Sequence, residues 1–214
     1  MVTGRVAFFI DGFNLYHALH HAPPPYKHTD FRKYKWLDLT KLCKILIPRK
    51  CTITKIYYFT TYPTWDTKKV NRHQTYVRVL QTTPIEIVLG RFKRKDVTCP
   101  LCQKTFQTQI EKQTDVNIAI KLVRAGLEDI FDTAVIISGD TDLIPAVQEV
   151  QRLFPTKQIG FVFPMGRVSN EIRQVANFTM RLSERHVSTC QFPDTIQLSG
   201  GVTLERPDNW REVA

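Results

Sequence analysis

A chain of 214 residues, 43% hydrophobic and 23% charged, is long enough for one generous α/β domain and excludes a disordered or low-complexity protein. Its 30 Lys and Arg against 20 Asp and Glu leave a formal charge of +10, which suits a polyanionic partner such as nucleic acid; a membrane-surface role and plain solubility are the other readings. No apolar run approaches the roughly 18 residues of a membrane span. The five cysteines are an odd number, the first residues carry no signal-peptide pattern, and reduced thiols in a cytoplasmic setting are expected.

Val6-Ala7-Phe8-Phe9-Ile10 is an apolar run suited to a strand buried on both faces, and Asp11 ends it. A helix is expected from Phe13 to Leu19, stopped by Pro23-Pro24-Pro25. Residues 26–36 are basic and aromatic. They read either as an exposed loop that tracks a nucleic-acid backbone through Arg32, Lys33 and Lys35, or as an insertion whose aromatics tuck onto the core. The spacing of Leu39, Leu42, Cys43 and Leu46 predicts a helix over 38–47, ended by Pro48. A strand over 53–61 and a helix over 66–81 follow, the latter with Val70, His73, Val77 and Leu80 inward. A third strand, over 85–92, runs into Arg91, Lys93, Arg94 and Lys95 around Phe92, which is either a phosphate-contacting strip or a solvated edge.

Val116, Ala119, Ile120 and Val123 mark the inner face of a further helix, with Asp115 in the first turn, where the helix dipole favours a carboxylate. Residues 133–137, β-branched at Val135, Ile136 and Ile137, predict a central buried strand ending in Ser138-Gly139-Asp140-Thr141-Asp142. A helix over 143–153, a fifth strand over 159–163 and a helix over 168–178 continue the alternation. Strands alternating with helices imply right-handed βαβ units and a mainly parallel sheet of about five strands flanked by helices. The domain is expected over 1–187, with 188–214 a tail of short strands or an extended arm packed on it.

Open α/β sheets bind ligands outside the carboxyl ends of their strands. Asp11, Asp140 and Asp142 stand at that edge, and Asp115 stands at a helix start. Gathered carboxylates repel one another at neutral pH unless a hard divalent cation holds them, and Mg²⁺ or Mn²⁺ suits oxygen ligands. Helix capping also accounts for Asp115 and Asp142, and less simply for Asp11 and Asp140. Cys99-Pro100-Leu101-Cys102 has the spacing of half a structural zinc site. Cys43, Cys51, Cys190 or a histidine would have to complete it; a zinc shared in a homodimer and two free thiols are the alternatives.

Taken in order, Phe8-Phe9-Ile10-Asp11-Gly12-Phe13-Asn14-Leu15, Glu111-Lys112-Gln113-Thr114-Asp115-Val116 and Ile137-Ser138-Gly139-Asp140-Thr141-Asp142-Leu143-Ile144-Pro145 resemble the three signature blocks of the NYN domain, a branch of the PIN-like nucleases. The resemblance implies a Rossmann-like sheet and a metal-dependent endoribonuclease that hydrolyses RNA phosphodiesters with metal-activated water. By position, it implies Asp11, Asp115, Asp140 and Asp142 as holders of one or two Mg²⁺ or Mn²⁺ ions. Asn14 and Ser138 would orient a phosphate or a water, Lys112 would neutralise the backbone, and Glu111 is a further candidate. Where the family often has an acid in its last helix, this chain reads Ala176-Asn177-Phe178. A nuclease acting on DNA and a non-catalytic RNA-binding module are the alternatives. A haloacid-dehalogenase-type phosphatase is disfavoured, because Phe13 stands where its second aspartate belongs.

Overall fold

Five apolar side chains in a row can be buried only if both faces of their strand are covered, and that demand sets the centre of the molecule. The computed structural model describes residues 4–20, 30–63, 65–198 and 200–211. The chain runs β1 (Arg5–Asp11), α1 (Gly12–Ala18), α2 (Leu39–Ile45), β2 (Thr52–Thr60), α3 (Thr67–Leu80) and β3 (Ile85–Leu89). A hairpin of β4 (Arg91–Thr98) and β5 (Thr105–Lys112) leads to α4 (Thr114–Leu127). Then come β6 (Thr133–Ile137), α5 (Ile144–Leu153), β7 (Gln158–Phe163), α6 (Asn170–Val175) and β8 (Phe178–Arg181). The chain ends with α7 (Glu184–Thr189) and the short strands β9 (Thr195–Gln197) and β10 (Thr203–Glu205).

Six strands form the main sheet in the order β3-β2-β1-β6-β7-β8, every pair parallel. The order reverses between β1 and β6, the switch point of a Rossmann-like sheet. Alternation along the strands divides the core. Val6, Phe8 and Ile10 pack with Leu39, Leu42, Val79 and Leu80 on one face. Ala7 and Phe9 pack with Ile118, Leu122, Val147 and Val150 on the other. No helix among the described residues is long and apolar enough to cross a membrane.

The structure differs from the expectations in three places. The expected helix over 168–178 stops at Val175, because Ala176 turns to extended backbone and Phe178 enters the sixth strand. The expected strand over 85–92 stops at Leu89, and residues 91–112 form a separate antiparallel hairpin, polar on both faces and so without an apolar alternation to mark it. On α4 the inner face is Ile118, Leu122 and Ala125, whereas Val116 and Ile120 are 58% and 62% exposed. That helix carries apolar residues on two faces, and periodicity cannot choose between them. Of the two readings of residues 26–36, the one with aromatics tucked onto the core holds over the described part: residues 31–35 form a 3₁₀ helix that buries Phe31 and Lys35, followed by a fully buried Trp36, while Tyr26 and Lys27 lie outside the described residues.

The C-terminal segment closes over this region. Trp210 is buried with its ring 6.3 Å from Trp36 and 5.9 Å from Tyr76, and the Trp36 indole N–H donates to the Pro193 carbonyl at 2.8 Å.

Gly160 of β7 lies opposite Phe178 of β8, and a methyl group on Gly160 would overlap the Phe178 ring. Replacing Gly160 by Ala therefore forces the edge strand outward. A loss of about 1–3 kcal/mol is expected, the usual cost of overpacking, measured as a lower urea midpoint at unchanged slope.

Candidate metal centre

Asp11 is the last residue of β1 and the N-cap of α1. Its Oδ1 accepts the Asn14 N–H at 2.9 Å, and its Oδ2 accepts the Ser138 hydroxyl at 2.8 Å. Ser138 follows β6, so this hydrogen bond ties the two strands that flank the switch point. The Ser138 Oγ in turn accepts the Asp140 N–H at 3.1 Å, and the Asn14 Oδ1 accepts the Gly139 N–H at 3.2 Å. Asp140 then caps the 3₁₀ turn Thr141–Leu143, its Oδ1 accepting the Asp142 N–H at 3.0 Å. Gly139 is required here, since any Cβ would run into the Arg167 carbonyl of the neighbouring loop.

The third carboxylate arrives from across the sheet edge. The hairpin ends at Lys112, and Gln113 turns the chain with a left-handed φ of 77°, a costly conformation for a residue with a side chain. That turn starts α4 at Thr114 and brings Asp115 to the edge. Asp11, Asp115 and Asp140 each offer an oxygen within 4.8 Å of the others. Glu111, the penultimate residue of β5, accepts the Thr114 hydroxyl and lies beside them as a fourth carboxyl. Asp142 is exposed and stands outside the trio.

The electrostatics of the cluster are unfavourable as they stand. Burial holds the Asp11 carboxyl up at about 6; the Asn14 and Ser138 hydrogen bonds oppose this, and Asp115 and Asp140 add to it. Glu111 is raised to about 7 by burial and by Asp11 and Asp115, and Asp115 is raised by burial and by Asp140 and Asp142. Among the described residues, no ion pair with Lys, Arg or His reaches Asp11, Asp115 or Asp140. An all-oxygen, uncompensated trio of this kind fits a hard divalent cation that keeps some of its waters.

The other anticipated residues are spread more widely. Arg91 and Lys112 face each other across the base of the hairpin. Alternation puts Lys93 and Lys95 on the face of Arg91 and puts Arg94 with Phe92 on the opposite face, so the basic strip is divided between two sides. Arg32 is paired with Asp30 at 2.8 Å, and the Lys33 ammonium lies 5.3 Å from the Tyr34 ring centroid. Lys35 is not a surface contact. The 3₁₀ turn buries it, with its ammonium 3.6 Å from the Tyr16 ring centroid and 3.0 Å from His20 Nδ1, and burial lowers its pKa to about 7. Cys99 and Cys102 sit at the hairpin tip, and among the described residues no third Cys, His, Asp or Glu joins them; Cys43 and Cys190 are buried in the core. Asn177 caps the amino edge of the sheet, its Oδ1 accepting the Ile159 N–H at 2.7 Å, and so lies at the end opposite Asp11.

Beside Asp11 opens a cleft of about 270 Å³, which sequence reasoning did not anticipate. Gly12, Phe13 and Tyr16 of α1, Trp65, Arg72 of α3 and Phe92 of the hairpin line it. Its residues are scattered through the chain, and only the hairpin brings Phe92 to the others.

The raised Asp11 carboxyl has a definite consequence for stability. A folded-state pKa of about 6 against 3.8 means that the folded protein binds the proton more tightly, so metal-free stability falls as pH rises through that window. The loss is on the order of 2–3 kcal/mol. Metal-free protein is expected to melt higher at pH 5 than at pH 7, and Mg²⁺ or Mn²⁺ to raise the melting temperature more at pH 7. Asp11→Asn should flatten the pH dependence and remove the metal-induced shift; both are read by thermal denaturation.

Three comparisons place the chain among known proteins. Among curated proteins it is 25% identical over 246 residues to the 6-hydroxy-3-succinoylpyridine 3-monooxygenase HspA of Pseudomonas putida, covering 96% of this chain and 75% of that one. Among solved structures it matches a protein of unknown function from Vibrio parahaemolyticus with a TM-score of 0.59 at 14% identity, covering 84% of this chain and 93% of that one, a likeness of fold. The family model of the NYN domain matches residues 5–182, from the first strand through the last strand of the main sheet. By that match the chain belongs to the NYN domain family, within the PIN-like nuclease superfamily.

Proposed function

We propose that the protein is a metal-dependent endoribonuclease of the cytoplasm. Residues 1–187 form its nuclease domain, and 188–214 form an arm packed on that domain. The single observation that carries the reading is the uncompensated trio Asp11, Asp115 and Asp140 at the switch point, with oxygens within 4.8 Å of one another. Asp11, Asp115 and Asp140 would hold Mg²⁺ or Mn²⁺, which supplies Lewis acidity toward a phosphate oxygen and lowers the pKa of water.

The chain's own groups then divide the remaining work. Ser138 and Asn14 are positioning residues; their hydrogen bonds to Asp11 and Gly139 fix the two loops that carry the ligands. Glu111 and Asp142 flank the trio and accept hydrogen bonds from water in the site, aligning one for attack on phosphorus. Arg91 and Lys112, opposed at the hairpin base, neutralise the nucleic-acid backbone as it enters. RNA, rather than DNA, is the substrate that the family resemblance favours.

The cleft beside Asp11 favours one further reading. The curated relative is named for acting on a substituted pyridine, and a cleft walled by Phe13, Trp65 and Phe92 suits such a ring. A monooxygenase consumes O₂ and a two-electron donor, so oxygen uptake with a hydroxypyridine acid and a reduced nicotinamide would reveal it.

The deciding experiment incubates the protein with labelled single-stranded and structured RNA and DNA, in Mg²⁺, Mn²⁺ or EDTA. RNA cutting that EDTA abolishes is expected. Asp140→Asn should lower the rate by roughly 10²-fold or more, the scale of removing one electrostatic stabiliser. Ser138→Ala, which only loosens Asp11, should cost about 10- to 100-fold, recoverable in part at higher metal concentration. RNA binding without cutting in any metal would leave a binding module in place of the enzyme.

A further inference from the structure

The cleft beside Asp11 combines features that neither a solvated surface nor a core gap needs. Three aromatic rings reach it from three separate segments: Phe13 from α1, Trp65 from the loop before α3, and Phe92 from the hairpin. Trp65 stands edge-on to Phe92 with centroids 4.4 Å apart at 88°, and Phe13 lies 6.4 Å from Phe92. Phe13 and Trp65 nevertheless remain 41% and 45% exposed, so each keeps ring surface turned to water. Arg72 and Lys69, one turn apart on α3, line the same cleft, with Lys69 paired to Asp66 at 3.3 Å. Its inner wall is polar: Thr60 Oγ1 and His73 Nε2 lie 2.7 Å apart, and burial keeps His73 neutral at ordinary pH. At about 270 Å³ the space is close to the lower end of ligand sites, which span roughly 300–1,000 Å³, and suits a single planar ring.

We propose that this cleft is a base pocket, which takes one unstacked nucleobase of a single-stranded nucleic acid while the adjoining phosphate lies at the acidic trio. The proposal rests on the nuclease reading above and names its substrate class. Aromatic walls with cations at the rim are the means by which proteins hold unpaired bases, because every base offers a π-face and every nucleotide an anion. The cleft begins at Gly12, the residue next to Asp11, so base and phosphate recognition adjoin along the chain itself. The pocket cannot accept a base that is still stacked in a helix, and duplexes are therefore poor ligands. Arg72 and Lys69 hold the phosphate on the far side of the bound nucleotide. Glu111 lies opposite Phe92 in the hairpin register, so one pair of residues spans the pocket and the acidic cluster.

The test uses the full chain in EDTA, so that binding is read apart from cutting. Trp36 is 0% exposed, whereas Trp65 and Trp210 both line the cleft, at 45% and 5% exposure, so quenching reports a ligand there and Trp65 is the more accessible indole. The probes are a seven-nucleotide single-stranded RNA, the same backbone without bases, the RNA as a duplex, and 6-hydroxynicotinate as a free ring acid. The base-bearing single strand is expected to quench Trp65 and to bind about ten-fold or more tighter than the abasic strand. Trp65→Ala and Phe92→Ala should erase that difference in anisotropy of the labelled strand while leaving the melting temperature unchanged; the quenching of wild type stands without any variant. Equal binding of base-bearing and abasic strands, or a preference that survives both substitutions, overturns the pocket. So does quenching by the ring acid with none from RNA, which assigns the cleft to a small molecule. Base preference without cutting in Mg²⁺ or Mn²⁺ keeps the pocket and sinks the nuclease, and cutting without base preference does the reverse.

Discussion

Asp11 carries a carboxylate into a place that water barely reaches, at 3% exposure. A charge buried that deeply must be hydrogen-bonded or neutralised, and the chain does only the first. Both oxygens are occupied, one by the α1 backbone and one by Ser138, and the second of these bonds fastens β1 to β6 where the sheet changes direction. The same hydroxyl accepts the Asp140 N–H, so the position of one carboxylate is set through the position of another. The arrangement is complete except for positive charge. That deficit, more than any single distance, gives the site its chemistry.

The second half of the site depends on a turn. Gln113 spends backbone strain to bend the chain from the hairpin into α4, and the bend places Glu111 and Asp115 against Asp11. Gly90 works at the same neck, where a Cβ would press on the Thr114 hydroxyl and the Lys112 carbonyl. Entry to and exit from the hairpin thus cross in close contact. Phe92 and Glu111, one on each strand, are delivered by that crossing to adjoining parts of the surface.

The sheet was legible because its strands are doubly buried. Phe8, Phe9, Ile136 and Ile137 leave no choice of face, and the abrupt acids after them marked the edge at which a ligand belongs. The NYN blocks followed from those same residues. What was not legible is instructive. Phe178 reads as the end of an amphipathic helix, and only the bare backbone of Gly160 explains why it becomes a strand. The hairpin is polar on both faces, so no alternation revealed it. Lys35 and Trp36 looked alike as members of a basic, aromatic stretch, and only packing against Tyr16 and Trp210 turns them inward. Glu111 was visible in the second block, but its proximity to Asp11 comes from the Gln113 bend, which composition does not announce. The aromatic cleft needed five segments to meet: α1, the stretch from Thr60 to Trp65, α3, the hairpin and Trp210.

The hairpin shares no ladder with the six-stranded sheet, and its tip carries Leu101 at 94% exposure. Growth or shortening by whole cross-strand pairs would leave the neck at Gly90 and Gln113 in register, and so leave the acids where they are. Such a branch is a place where related chains can differ in length without refolding, and where evolution can alter what approaches the acidic cluster while the cluster itself stays fixed. It also offers an attachment point for a probe or a support, at the far end of the hairpin from the Asp11–Ser138 hydrogen bond.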